Sequence, residues 1–287
     1  MVINPMPSKS KPLISIIVAV FNGAKTLQQC IDSVANQTYQ NKELIIIDGG
    51  SRDGTVDLLN SNQEQINYWI SESDKGIYNA WNKGLEQVKG EWVCFLGADD
   101  FFWDDQVLEQ VSAQLEKLPL DIRVAYGQVM LLNKNGENLY PVGEPWERIS
   151  TRFKQIMSIP HQAVMHRRSL FERHGKFDES FRIAGDYELL MRELKMTEAF
   201  FVPGIVISGM RQGGISSSPE NSLVLLRECR RVHLMNGHRL PKGVLLMAFA
   251  RVHIRLILWR IFGERLARII IDVGRRIRGL PPYWTKT

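Results

Sequence analysis

LISIIVAVF, residues 13 to 21, and ELIIID, residues 43 to 48, decide how this chain folds. Both are near-continuous apolar runs rich in β-branched residues, and each ends on a turn signal, Asn22-Gly23 after the first and Gly49-Gly50 after the second. A strand with one wet face alternates apolar and polar residues, whereas an unbroken apolar run suits a parallel sheet covered on both sides. Between the two, Thr26 to Gln37 sets Leu27, Cys30, Ile31 and Val34 at helical spacing. The opening unit therefore reads strand, helix, strand.

The same alternation continues outward. Thr55 to Asn60 starts a helix, Ile66 to Ser71 reads as a short strand, Ile77 to Lys89 as a helix and Trp92 to Leu96 as a buried strand. That strand runs into Gly97-Ala98-Asp99-Asp100, and a helix follows from about Asp105 to Leu118. Ligands of open α/β sheets sit at the carboxyl ends of the strands. Asp48, Asp74, Asp99 and Asp100 all fall there. Asp48 and Asp53 also suit a turn and helix cap, and Asp74-Lys75-Gly76 an ordinary turn. Asp99 and Asp100 repel each other unless donors or a cation offset the charge. Two readings stay open for them: a solvated turn capping the next helix, or carboxylates for a hard divalent cation, Mn²⁺ or Mg²⁺, shared with ligand phosphates. The glycine fingerprints of dinucleotide and P-loop sites are absent.

Composition narrows the class. In 287 residues, 44% hydrophobic and 23% charged content excludes wholesale disorder and fibrous repeats. Cys30, Cys94 and Cys229 are too scattered for a disulfide framework or a zinc site, which suggests a reducing compartment. The three prolines before residue 13 read as a flexible lead-in rather than an export signal, and no apolar run reaches the roughly 18–20 residues of a bilayer span. Charge is uneven. From Arg227 to Thr287 there are 14 Lys and Arg against 3 Asp and Glu, a balance of +11 that leaves −6 on the first 226 residues. An acidic body with a basic tail is expected.

Five ordered segments carry a resemblance: Ser15 to Asn22, Gln37-Thr38-Tyr39, Glu43 to Thr55, Ser73 to Gly84 (SDKGIYNAWNKG) and Leu96 to Asp100. Together they resemble the family 2 inverting glycosyltransferases, of bacterial polysaccharide or O-antigen type, over roughly residues 12 to 215. The resemblance implies the GT-A fold, α/β with a Rossmann-like, mostly parallel sheet flanked by helices. It also implies a nucleotide-diphosphate sugar donor, with UDP favoured, held by Phe21, Asn22, Asp48, Asp74, Lys75 and Asp99. Asp48 would lie near the base, and Asp100 would be the direct ligand to Mn²⁺ or Mg²⁺. One departure is visible: the family often has two acids before the glycine of the second segment, and here the second position is Gly49.

Further along, Ile159 to Ala163 (IPHQA) and Gly175 to Glu188 resemble the acceptor side of the same group. His161 and Gln162 would face the acceptor, and Asp186 falls where the family keeps its general base; a buried hydrogen-bonded pair and a helix cap are the plainer alternatives. Arg211-Gln-Gly-Gly-Ile-Ser216 reads either as a mobile loop carrying Arg211 to a phosphate or as a linker. Asn133 to Glu137 reads as a hairpin turn.

The tail opens with a helix over Leu223 to Leu234, and two more cover Val244 to Phe262 and Glu264 to Ile277. In the last, Leu266, Ile269, Ile270, Val273 and Ile277 share an arc of about 100°, opposite Arg265, Arg268, Asp272, Arg275, Arg276 and Arg278. An anionic membrane surface, aided by Trp259 and Trp284, competes with packing on the body or on a second copy; no nucleic-acid motif is present. The expected organisation is a lead-in at 1–11, a catalytic domain at 12–218 and a basic helical extension at 219–287. The expected protein is a metal-dependent transferase, cytoplasmic and peripheral on the inner face of the plasma membrane, acting on a glycan or lipid-linked acceptor. A non-catalytic nucleotide-sugar-binding or scaffold subunit of a polysaccharide assembly complex is the alternative.

Overall fold

The computed structural model describes residues 11–133, 135–212, 214, 221–237, 242–277 and 279. Residues 1–10 of the lead-in, Gly213, residues 215–220, Arg278 and Trp284 lie outside the described residues.

The two opening runs are strands, β1 (Ile14–Val20) and β2 (Lys42–Asp48), joined by α1 (Leu27–Ala35). They pair in parallel, Ile14 opposite Lys42 and Val20 opposite Asp48. After α2 (Thr55–Ser61), β3 (Tyr68–Ser71) extends the sheet beyond β2. α3 (Ile77–Leu85) then carries the chain back to β4 (Trp92–Gly97), which pairs in parallel with the free edge of β1.

Two-sided burial explains the lack of alternation. Ile14, Ile16 and Val18 enter one core while Ile17 enters the other, and Leu44 and Ile46 oppose Ile45 and Ile47 in the same way. Along β4, Trp92, Cys94 and Leu96 face the first core and Val93 and Phe95 the second. Each fully buried aliphatic or aromatic chain contributes about 1.5–3 kcal/mol, and the buried polar residues of these strands are paired, as Ser15 Oγ is by donating to Glu43 Oε1. α1 and α4 (Val107–Leu115) cover the first core. α3, α5 (Trp146–Phe153), α7 (Gly185–Leu194) and α8 (Ser222–Met235) cover the second. α3 rides close to β1 through Gly84, where a β-carbon would stand 2.6 Å from Cγ2 of Ile17. That approach sets Tyr78 and Trp81 against the sheet.

Beyond β4 the sheet mixes direction. β4 pairs antiparallel with β8 (Val164–Arg167), β8 lies antiparallel to β6 (Val124–Leu132), and β6 runs parallel to β9 (Phe200–Arg211). β5 (Phe101–Phe102) edges β9 and β7 (Asn138–Val142) edges β6, closing the expected hairpin. The order β3-β2-β1-β4-β8-β6-β9-β5 gives a mixed-parallel sheet flanked by helices, with β7 off its path. β5, β8 and α6 (Arg168–His174) are too short to carry a period of their own.

Two boundaries differ from expectation. α8 belongs to the body rather than to an extension beginning at residue 219, because Cys229 and Val232 are buried in the second core. Arg211 is the last residue of β9, paired with Leu132, rather than part of a mobile loop. The two predicted tail helices meet at Gly263 (φ 71°, ψ 173°), which breaks α9 (Lys242–Ile277). The apolar arc of its second half faces outward: Leu266, Ile269, Ile270, Val273 and Ile277 are 41–81% exposed, whereas Ala267 and Asp272 are buried. The arc does not pack on the body. No helix among the described residues is long and apolar enough to cross a membrane.

Candidate active site

The chain leaves β1 for β2 on one side and returns to β4 on the other, so the strand order reverses between the carboxyl ends of β1 and β4. A crevice opens at such a switch point, and ligands of open α/β sheets lie there. The loops after β1, β2, β3 and β4 form its walls.

The loops after β1 and β2 are laced together. The Asn22 N–H donates to Ser51 Oγ (2.7 Å), Arg52 N–H to Asn22 Oδ1 (3.0 Å), Gly23 N–H to Thr55 Oγ1 (3.0 Å) and Ala24 N–H to Asp53 Oδ2 (3.1 Å). Asn22 adopts φ 51°, a left-handed conformation that asparagine tolerates better than most residues. Asp48 differs from expectation. It is fully buried, and its carboxylate accepts from Ser71 Oγ (2.6 Å), from Ser51 N–H (3.0 Å), from Gly50 N–H (3.2 Å) and from Ser51 Oγ. A carboxylate so buried and so engaged holds the loop from beneath.

Asp74 reaches the crevice instead. Its Oδ1 accepts from Gly76 N–H (3.0 Å), while Oδ2 lies 2.5 Å from where a β-carbon on Gly49 would stand. The Phe21 ring, 66% exposed, comes within 3.4 Å of that same point. The acid missing at position 49 leaves room for Asp74, beside an open aromatic face. Lys75 is exposed next to it, its N–H bonded to Asn79 Oδ1 (3.2 Å).

Asp99 and Asp100 converge after β4. Asp99 Oδ1 and Asp100 Oδ2 lie 2.8 and 2.9 Å from the β-carbon position of Gly97, space that a side chain there would fill. Asp100 is 5% exposed and accepts from Gly97 N–H (3.0 Å). Burial and the Asp99 charge push its carboxyl up to about 8, against the pull of Gly97 N–H, Arg211 and the Gln162 amide. Arg211 also donates to Gln29 Oε1 (2.6 Å) and lies over Phe101, 5.9 Å from the ring centroid. Among the described residues no group of three or more His, Cys, Asp or Glu converges. Two carboxylates around an open cradle still fit Mg²⁺ or Mn²⁺, since such ions commonly take one or two protein carboxylates and complete their shell from phosphate and water.

His161 and Gln162 part company. The Gln162 amide approaches Asp100 closely enough to favour its carboxylate. His161 is buried among Trp81, Phe95, Phe177 and His166, with centroids 5.0–6.2 Å apart. Burial and the second imidazole hold it well below the usual histidine range, so it is neutral. Its Nε2 and the Nε1 of Trp81 are buried without a hydrogen-bond partner.

Asp186 lies in the first turn of α7 rather than capping it; Ala184 holds the cap position. Its Oδ1 accepts from Tyr187 N–H (2.7 Å) and faces the Tyr78 hydroxyl at 3.3 Å. That hydroxyl accepts from Gly185 N–H (2.8 Å) and donates to Ile183 O (2.6 Å). Burial raises the Asp186 carboxyl to about 6. It is a carboxylate at neutral pH that takes up a proton readily. Tyr78 was visible only as part of a motif, and the reach of Gln162 had no signal in the sequence.

Comparison with known proteins places the chain in a family. The profile of Glycosyl transferase family 2 matches residues 15–175. A PGL/p-HBAD biosynthesis glycosyltransferase of Mycobacterium bovis is 34% identical over 185 residues, 63% of this chain and 69% of the relative. An uncharacterized glycosyltransferase of Rickettsia typhi is 32% identical over 203 residues, 68% of this chain and 63% of its own. The mannosyltransferase of Pyrobaculum calidifontis, solved with GDP-Man and Mn²⁺, superposes at a TM-score of 0.62 and 16% identity, covering 99% of this chain and 87% of that one. S. aureus TarS 1-349, solved with UDP-GlcNAc, gives 0.60 and 17%, over 83% and 71%. At these identities the solved structures speak for the fold. With more than half its length matched by the family profile, the chain belongs to glycosyl transferase family 2 and is an enzyme that moves a sugar from a nucleotide-sugar donor.

Proposed function

We propose that the enzyme inverts the anomeric centre of a nucleotide-diphosphate sugar in one displacement, with Asp186 as general base and Asp99 and Asp100 at the donor diphosphate. The observation that carries the reading is the convergence of the two acids over Gly97 at the sheet's switch point. Asp74 Oδ2 beside Phe21 suits a base presenting an N–H, as uracil and guanine both do; the UDP and GDP ligands of the two solved relatives support either. Asn22 holds the loops around the base, with Asp48 beneath them.

In the displacement the acceptor hydroxyl oxygen bonds to the anomeric carbon as the bond from that carbon to the diphosphate oxygen breaks. The hydroxyl proton passes to Asp186, and the electron pair leaves on the nucleoside diphosphate. Asp100 and Asp99 would hold a divalent cation, which would supply Lewis-acid neutralisation of that leaving group. Arg211, in the field of Asp100, adds positive charge on the same side.

The acceptor is proposed to be lipid-linked, met at an anionic membrane by α9. Support comes from its exposed apolar residues, which in the first half include Leu246, Ile254, Ile257 and Ile261. Arg251, Arg260, Arg265 and Arg276 are exposed around them. Large exposed apolar patches mark interaction surfaces, and a basic margin selects anionic headgroups. Trp259 is stacked by Arg268 at 5.8 Å rather than freely offered to an interface.

Calorimetry with UDP and GDP, each with and without Mn²⁺, tests the donor site. One nucleotide is expected to bind in a Mn²⁺-dependent manner, and Asp100→Ala to abolish the Mn²⁺ dependence; equal binding by the variant sinks the assignment. Gly97→Ala is expected to behave like Asp100→Ala, because its methyl group displaces both carboxylates from the cradle. Wild-type Mn²⁺-dependent affinity in Gly97→Ala would show that the acids do not act together.

A further inference from the structure

α8 brings an acid to the back of the base. Glu228, half-buried, accepts three consecutive backbone N–H groups: Arg182 on Oε1 (2.8 Å), and Ile183 (2.9 Å) and Ala184 (2.8 Å) on Oε2. These residues lead directly into α7, two positions before Asp186. The carboxylate therefore gathers the N–H groups at a helix start, where a negative charge is favoured. The same segment is held from the other side by Tyr78, through Ile183 O and Gly185 N–H. Arg231, one turn further along α8, donates to Ser180 Oγ (2.7 Å), pairs with Asp178 (3.2 Å) and stacks on Phe181 at 4.2 Å. Residues 178–186 are thus strung between α3 and α8.

We infer that Glu228 is the positioning residue of the catalytic base: its carboxylate fixes the turn that aims Asp186, so α8 is part of the active site. The inference rests on the reading of Asp186 as base. The charge arrangement agrees with it. Glu228 raises the Asp186 carboxyl, and the other titratable groups facing it are Tyr78 from α3 and Cys229 from α8. Glu228→Gln removes the charge and turns an amide NH₂ toward N–H donors, so the turn loosens and the base becomes more acidic.

The test uses full-length protein. Amide hydrogen exchange over residues 180–188 is expected to speed up in Glu228→Gln, with protection of β1, β2 and β4 unchanged. Unaltered exchange there overturns the inference without any activity measurement. UDP-glucose, UDP-N-acetylglucosamine and GDP-mannose are then offered with a bacterial membrane lipid extract, and release of nucleoside diphosphate is read against pH. kcat is expected to fall roughly ten- to a hundredfold, as for a misplaced reacting group, with donor KM unchanged and the acid limb moved to lower pH. Glu228→Asp, which keeps the charge, is expected to keep the limb of the wild type. A limb unmoved in Glu228→Gln overturns the inference, while transfer that survives Asp186→Asn overturns the base reading instead.

Discussion

Asp186→Asn is expected to slow sugar transfer by roughly 10²–10⁴-fold while nucleotide binding stays as in the wild type. The exchange is nearly isosteric, and the asparagine oxygen can still accept from Tyr187 N–H and face Tyr78, so the turn keeps its shape. What disappears is the ability to take the acceptor's proton as the new bond forms. The same carboxylate sets a pH dependence. With its carboxyl raised to about 6 by burial, Asp186 is ionised and competent above that pH. Activity is expected to fall as pH drops through about 6, whereas an ordinary exposed aspartate would hold activity down to about 4. A pH–rate profile flat between 5 and 7 would deny Asp186 the role, as would an active Asp186→Asn enzyme.

Much of the fold was legible because local patterns and tertiary burial agree. The parallel strands β1, β2 and β4 sit between two cores, so their runs are apolar on both faces apart from paired polar residues such as Ser15, and α1 buries the four residues its spacing singled out. Legibility fades beyond β4, where short strands draw their stability from neighbours rather than from a pattern of their own. The site divides along the same line. Asp99 and Asp100 stand out in the sequence because adjacent acids after a buried strand demand an explanation, and the structure brings both over Gly97; Asp186 stands out only through a resemblance.

Asp48 was misread since sequence reports an acid at a strand end without saying which donors surround it; here four donors already do. Gly49 was noticed as a departure, but only coordinates show Asp74 filling the space it leaves. Glu228 did carry a signal. Leu225, Glu228, Cys229 and Val232 recur at helical spacing, so an acid stands within an apolar stripe, and such a residue needs buried donors. Arg227, Arg230 and Arg231 surround it, so charge pattern alone does not set it apart.

The apolar face of α9 gives the second large effect: replacing Leu266, Ile270 and Val273 together by glutamate is expected to abolish binding to anionic vesicles. These side chains are 41–54% exposed, so the substitutions disturb little of the packed body, and donor binding is expected to persist. Burying an apolar side chain of this size is worth about 1.5–3 kcal/mol, and each basic residue near an anionic surface adds about 1 kcal/mol. Removing three of the former and adding three like-charged repulsions amounts to at least about a hundredfold in partitioning. Co-sedimentation with phosphatidylglycerol-rich vesicles checks it, with phosphatidylcholine vesicles and high salt as controls for charge. Wild-type protein is expected to pellet with the anionic vesicles and lose binding as salt screens its arginines. Failure of the wild type to bind, together with a concentration-dependent dimer that the triple variant breaks, would assign the face to a second copy of the chain. Ala267 and Asp272 are buried while the apolar arc is exposed, so the second half of α9 presents that arc outward in the single chain, where a vesicle surface can meet it.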